Sequence, residues 1–336
     1  MVDLVLRGSV GLLPVLIFLG VLVYLDSYKL VRFRVVVAAI AAGGVAAAAS
    51  YFLNALILNL TDMHLIPFAR YVSPLVEELL KGLILVYLIR KHRIGFPVDA
   101  AIFGFAAGTG FAMIENLYFL GILSDKPFAV WIIRGFGTAI MHGGAVAIFG
   151  IVAHTLSEEK QSTGLEVLAP GFLVAVLIHS AFNHFLLWPV LSTLGILLTL
   201  PPLLLFVFHR SEASLRKWMA IDFDADTELL ELINSGAFSE SKVGRYLTSL
   251  REHFKPEVMI DLLCYLRLHV ELSMRSTGML MLRESGFDAE PNPEVRAMLE
   301  ELRFLERSIG RTGRMAIQPF LRLSSRDLWQ LYMLED

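Results

Sequence analysis

Seven apolar stretches fill this chain from Val10 to Phe208, most of them close to the 20 or so residues that a helix needs to cross a bilayer. Hydrocarbon offers backbone N–H and C=O groups no water, so such stretches satisfy themselves as helices. They run approximately from Val10 to Leu25, Val35 to Leu58, Val72 to Ile89, Val98 to Leu123, Phe128 to His154, Leu168 to Trp188 and Val190 to Phe208. Composition agrees: 56% of the 336 residues are hydrophobic and 18% are charged, and mean hydropathy is +0.63. The expected fold class is all-α: a polytopic membrane helix bundle of about seven transmembrane helices with a C-terminal cytosolic helical domain. The first stretch resembles a signal peptide in position, but Tyr24-Leu25-Asp26 offers no small-residue cleavage site, so it reads as a retained span.

After His209 charges recur every few residues, which divides the chain into a transmembrane domain, 1–209, and a second domain, 210–336. The second reads as helix in amphipathic runs from Thr227, Pro256, Val295 and Ser325, with loops at Ser235-Gly236 and Glu290-Pro291-Asn292-Pro293. The acidic run Asp222 to Asp226 lacks the glycine and distal glutamate of a calcium loop and reads as a solvated linker or helix N-cap. The single cysteine, Cys264, rules out an internal disulfide and a thiol metal cluster. A net charge of −3 gives no argument for a nucleic-acid partner, and none is expected.

Lys29, Arg32 and Arg34, then Arg90, Lys91 and Arg93, then Lys160, then Arg210, Arg216 and Lys217 follow alternate spans, whereas the other side offers only Arg7, Arg70 and Lys126. The positive-inside bias then places the N-terminus outside and the C-terminal region in the cytosol, a parity that seven spans satisfy.

Ionisable residues within these stretches are costly, about 2.5 to 3.5 kcal/mol each on insertion scales, and so point to function. Glu77 and Glu78 are adjacent, and Lys81 falls between them in azimuth, so one carboxylate is salt-bridged while the other faces a cavity. Ser73 as N-cap and Pro74 as first helical residue place both near a helix N-terminus. Glu115 and Asn116 follow Gly104 and Gly108, a small-xxx-small packing pair. His142 lies in span five, and His179 and Asn183 share one face of span six, with His184 rotated away. At about 1.5 Å per residue, Glu77, Glu115 and His179 lie roughly 7 to 13 Å below the outer surface, and His142 deeper. Arg134, near a span end, reads as snorkelling.

Glu77-Glu78-x-x-Lys81, Gly110-Phe111-Ala112-x-x-Glu115-Asn116, His142 and His179-x-x-x-Asn183 together resemble the PrsW-type intramembrane proteases, relatives of the CAAX protease and bacteriocin-processing superfamily. The resemblance covers about Pro67 to Asn183 and departs at Thr138, where phenylalanine is usual. It implies hydrolysis of peptide bonds in membrane-anchored, single-span substrates, with site-one cleavage of an anti-sigma factor in the bacterial inner membrane as the family's task. The implied mechanism has Glu77 as general base on a water, His142 orienting that water, and His179 and Asn183 donating to the oxyanion. Glu78 with Lys81, and Glu115 with Asn116, hold the constellation. No cofactor is required in that reading. Zinc held by His142, His179 and Glu77 is the alternative, and the absence of a His-Glu-x-x-His helix weighs against it. A proton-coupled transporter is the rival from another class, since buried carboxylates and histidines also build proton relays; the chain lacks the internal repeat that many transporters carry. A membrane scaffold accounts for the tail but leaves the buried polar cluster without a purpose.

Overall fold

The structure, a computed structural model, describes residues 2–122, 126–185, 188–235, 241–287, 289, 292–317 and 325–334. Leu123, Gly236, Glu290 and Pro291, where sequence places a span end and two loops, lie outside the described residues. The described elements are helical, without strands: α1 Val2–Tyr24, α2 Phe33–Thr61, α3 Leu65–Pro67, α4 Ser73–Arg90, α5 Pro97–Ile122, α6 Phe128–Ile132, α7 Ala139–Lys160, α8 Leu165–Asn183, α9 Pro189–Asn234, α10 Lys242–Ser249, α11 Pro256–Glu284, α12 Pro293–Ile317 and α13 Ser325–Met333. Two π-turns, Phe68–Val72 and Ile133–Thr138, join α3 to α4 and α6 to α7 without a break. The chain divides into two compact units, Met1–Ser211 and Glu212–Asp336.

Among the described residues, six helical runs are long and apolar enough to cross a membrane. The third expected span, α4, is not among them, because its 18 residues hold Glu77, Glu78, Lys81 and Arg90. With α3 and the first π-turn, however, it belongs to one helical run from Leu65 to Arg90. Helix α5 is the axis of the unit, packed against α7, α2, α1 and α4 and buried on every side from Val98 to Ala112. A helix apolar all round can be central only if its neighbours approach closely. Its glycines permit that: a Cβ on Gly104 would lie 2.6 Å from the Val146 carbonyl oxygen, and one on Gly108 would overlap the backbone of His142 and Gly143. Outward faces carry large apolar side chains such as Ile17, Phe52 and Leu198, the surface that a bilayer covers.

In the second unit α11 packs against α12 and α13, with Leu262, Leu266, Leu280, Leu302 and Trp329 in its core. The acidic run Asp222 to Asp226 lies inside α9 and is neither a linker nor an N-cap. A continuous helix satisfies its own backbone there, so no cap is needed.

Candidate active site

The backbone before Glu77 sets the site. Val72 is already helical in φ and ψ, so Ser73 does not cap a helix start as the sequence predicts. Ser73 N–H instead donates to the Phe68 carbonyl, five residues back. Pro74, next in line, has no N–H, so the Ala69 carbonyl lacks both its i+4 and its i+5 donor. Side chains of α8 fill the gap: Asn183 Nδ2 donates to Ala69 O at 3.0 Å and Ser180 Oγ to Arg70 O at 2.6 Å. These bonds dock α8, which carries His179, onto the run that carries the glutamates.

The two glutamates then take different surroundings. Glu78 Oε1 accepts from Lys81 Nζ at 2.5 Å and from His179 Nδ1 at 2.8 Å, and the side chain is fully buried. Glu77 Oε1 accepts from Ser73 Oγ at 2.6 Å and sits 3.4 Å from Asn54 Nδ2. Glu77 Oε2 is buried without a hydrogen-bond partner, 3.8 Å from His179 Nε2 and 4.0 Å from Lys81 Nζ. Lys81 also reaches His142 Nδ1 at 2.9 Å and lies 4.0 Å from the Phe111 ring centre.

Partners decide which ring nitrogens carry protons. A charged lysine only donates, so His142 Nδ1 accepts and Nε2–H faces Glu115 Oε2 at 3.2 Å. A carboxylate only accepts, so His179 gives its Nδ1–H to Glu78, and its Nε2 faces Glu77, with a lone pair there when the ring is neutral. The single N–H of a neutral His179 is thus already engaged, and one of the two N–H groups of Asn183 is bonded to Ala69.

Asn116 is buried and does not hold Glu115 directly: its Nδ2 donates to Gly11 O at 2.7 Å, and its Oδ1 accepts from Arg134 Nε at 2.8 Å. Arg134 is no snorkelling residue. Its Nη2 lies 3.0 Å from Glu115 Oε2, an ion pair rather than an aligned hydrogen bond. Sequence reasoning also missed Asn54 and Ser73 as neighbours of Glu77; no motif marks either. His184 bonds the Ser180 carbonyl and meets the Tyr71 ring edge to face, apart from the cluster.

Beside the cluster opens a cavity of about 700 Å³, lined by Glu77, Glu115, Arg134, His142, His179 and Asn183 among mainly apolar side chains of α2, α5 and α8. Glu77, His142 and His179 each present one donor atom within 4.8 Å of the others. Two imidazoles and a carboxylate form a donor set known from catalytic zinc sites, and the Glu78 contact to His179 is the outer support such ligands receive. The residues fit a divalent cation, provided His142 turns one nitrogen away from its present partner.

A family model described as PrsW family intramembrane metalloprotease matches residues 29–208. The chain belongs to that family. It is accordingly a multi-pass membrane protein and an intramembrane protease, which sets aside the transporter reading. The match holds every candidate site residue and leaves out all of α1 and all of the second unit. No curated protein and no solved structure matches the chain.

Proposed function

We propose that this protease cleaves single-span membrane proteins at the triangle of Glu77, His142 and His179, and that these three residues hold one divalent cation, zinc by donor chemistry. The observation that carries the reading is Glu77 Oε2, buried without a hydrogen-bond partner and 3.8 Å from His179 Nε2, beside the cavity. Bound there, zinc supplies a Lewis acid for the attacking water and the scissile carbonyl. Glu78 fixes the His179 ring by accepting a hydrogen bond from its Nδ1–H, and Lys81 balances the Glu78 charge. Glu115, a quarter exposed on the cavity wall, takes the proton that water loses on attacking the carbonyl carbon. It returns that proton to the amine nitrogen as the C–N bond breaks.

Loop charges support an outside N-terminus, a cytosolic C-terminal domain and, with α4 counted, seven crossings of a bacterial inner membrane. The site then lies in the outer half of the bilayer, suited to trimming a substrate near its extracytoplasmic end. Cleavage of an anchored anti-sigma factor is the form of this activity that the family resemblance implies.

The metal-free reading makes Glu77 itself the base and His179 and Asn183 the oxyanion donors; the Nδ1–H of His179, already given to Glu78, weighs against it, while Asn183 keeps its second N–H. Reconstituted wild-type protein should cleave single-span substrates, and Glu77→Gln should be at least about a hundredfold slower. Elemental analysis should find zinc in wild type and less in Glu77→Gln and His179→Ala, and chelation should stop cleavage until zinc is returned. Cleavage that persists without metal would overturn the cation and return the base role to Glu77.

A further inference from the structure

Arg134 lies outside all four motifs, yet its side chain joins the ends of two consecutive residues of α5. Side chains at neighbouring helix positions diverge by about 100°. One guanidinium nevertheless spans both, with Nε 2.8 Å from Asn116 Oδ1 and Nη2 3.0 Å from Glu115 Oε2. A planar fork with donors on separate edges can do this; the point charge of a lysine cannot. The other contacts immobilise the fork. Asn116 is anchored to the α1 backbone through Gly11 O, and the guanidinium carbon lies 3.9 Å over the Phe119 ring. Glu115 Oε2 is shared between this braced cation and His142 Nε2.

We infer that Arg134 is a positioning residue of the protease: it holds Glu115 Oε2 against His142, with Asn116 as its brace to α1. The inference rests on the reading of Glu115 as proton carrier. Without the fork, a carboxylate that is a quarter exposed on a cavity wall rotates away from the imidazole and toward the open volume. Substrate binding, governed by the apolar walls, is left alone.

Arg134→Leu should therefore lower kcat about tenfold or more while KM stays near wild type. Arg134→Lys should recover little of that loss, because it restores the charge and not the fork. In a Glu115→Gln background the Leu substitution should cost almost nothing further. Equal losses in both backgrounds, a loss confined to KM, or full rescue by lysine would each overturn the inference. If Arg134→Leu does not fold by thermal unfolding, Asn116→Ala carries the same cycle, since it removes the brace and leaves the ion pair. A fully active Glu115→Gln would strike the reading of Glu115 itself, whereas a slow Glu115→Gln with additive Arg134 losses would strike only the positioning role.

Discussion

Among the places where the described residues bury polar side chains, two clusters, one in each unit, are built on different principles. In the first unit, Glu77, Glu78, Lys81, Glu115, Arg134, His142 and His179 bring formal charges together beside a cavity, and Oε2 of both adjacent glutamates has no hydrogen-bond partner. In the second, Gln330 joins α13 to α11 through neutral bonds: its Oε1 accepts from Ser273 Oγ at 3.1 Å, and its Nε2 donates to Thr277 Oγ1 at 2.8 Å. His269 is buried nearby on α11, where desolvation pushes the imidazole down to about 4, so it is neutral at physiological pH. Gln330, Ser273 and Thr277 satisfy one another and fix helix packing at little cost, with one neutral atom, His269 Nε2, unmet beside them, whereas charges with unmet oxygens are far more expensive to bury. Polar burial alone therefore marks no site. Charge, unmet atoms and an adjoining volume together do.

Three substitutions test that contrast. Glu78→Gln keeps the shape but removes the anion that accepts the His179 Nδ1–H bond, and should cost about 10- to 100-fold in cleavage rate or zinc content. Activity equal to wild type would reduce Glu78 to a packing residue of the kind found in the second unit. Gly108→Val drives a side chain into the His142 backbone. It should cost about 1–3 kcal/mol, read as a lower unfolding temperature in detergent together with slower cleavage. An unchanged melting temperature would mean that α5 and α7 part easily. Smallest is Gln330→Leu, about 1 kcal/mol of stability with cleavage kinetics unchanged. A changed rate would break the comparison by making the second cluster part of the catalytic apparatus.

Much of the arrangement is legible in the chain, and the failures share a cause. Hydropathy alone locates six of the seven expected spans, since length and composition are all that crossing requires. It falls short at α4, whose charges are turned inward, where Glu78 and Lys81 are almost fully buried. Ideal helix spacing brings Glu77, Glu78 and Lys81 into reach of one another, and residue chemistry singles out Glu115, His142 and His179. Arg134 escapes because it stands eight residues before His142, about 80° off its face in an uninterrupted α-helix. The π-turn Ile133–Thr138 between them absorbs about one residue and brings the offset to about 20°, so both side chains reach Glu115. The N-cap expected at Ser73 fails at the other π-turn for the same reason. Periodicity counts residues per turn and cannot see a turn that holds one more.

The π-turn Phe68–Val72 also bears on how this chain is compared with others. A relative whose helix runs uniformly α through this segment is one residue shorter there, and an alignment without a gap would set its acidic pair out of phase with Glu77 and Glu78. Excising a single residue from Phe68–Val72 leaves the acidic pair intact in sequence. Where the residue removed is Tyr71 or Val72, a plain α-helix keeps Ala69 and Arg70 at about their present azimuth relative to the glutamates, because the π-turn had absorbed that one residue, and the two α8 side chains that grip them stay in reach.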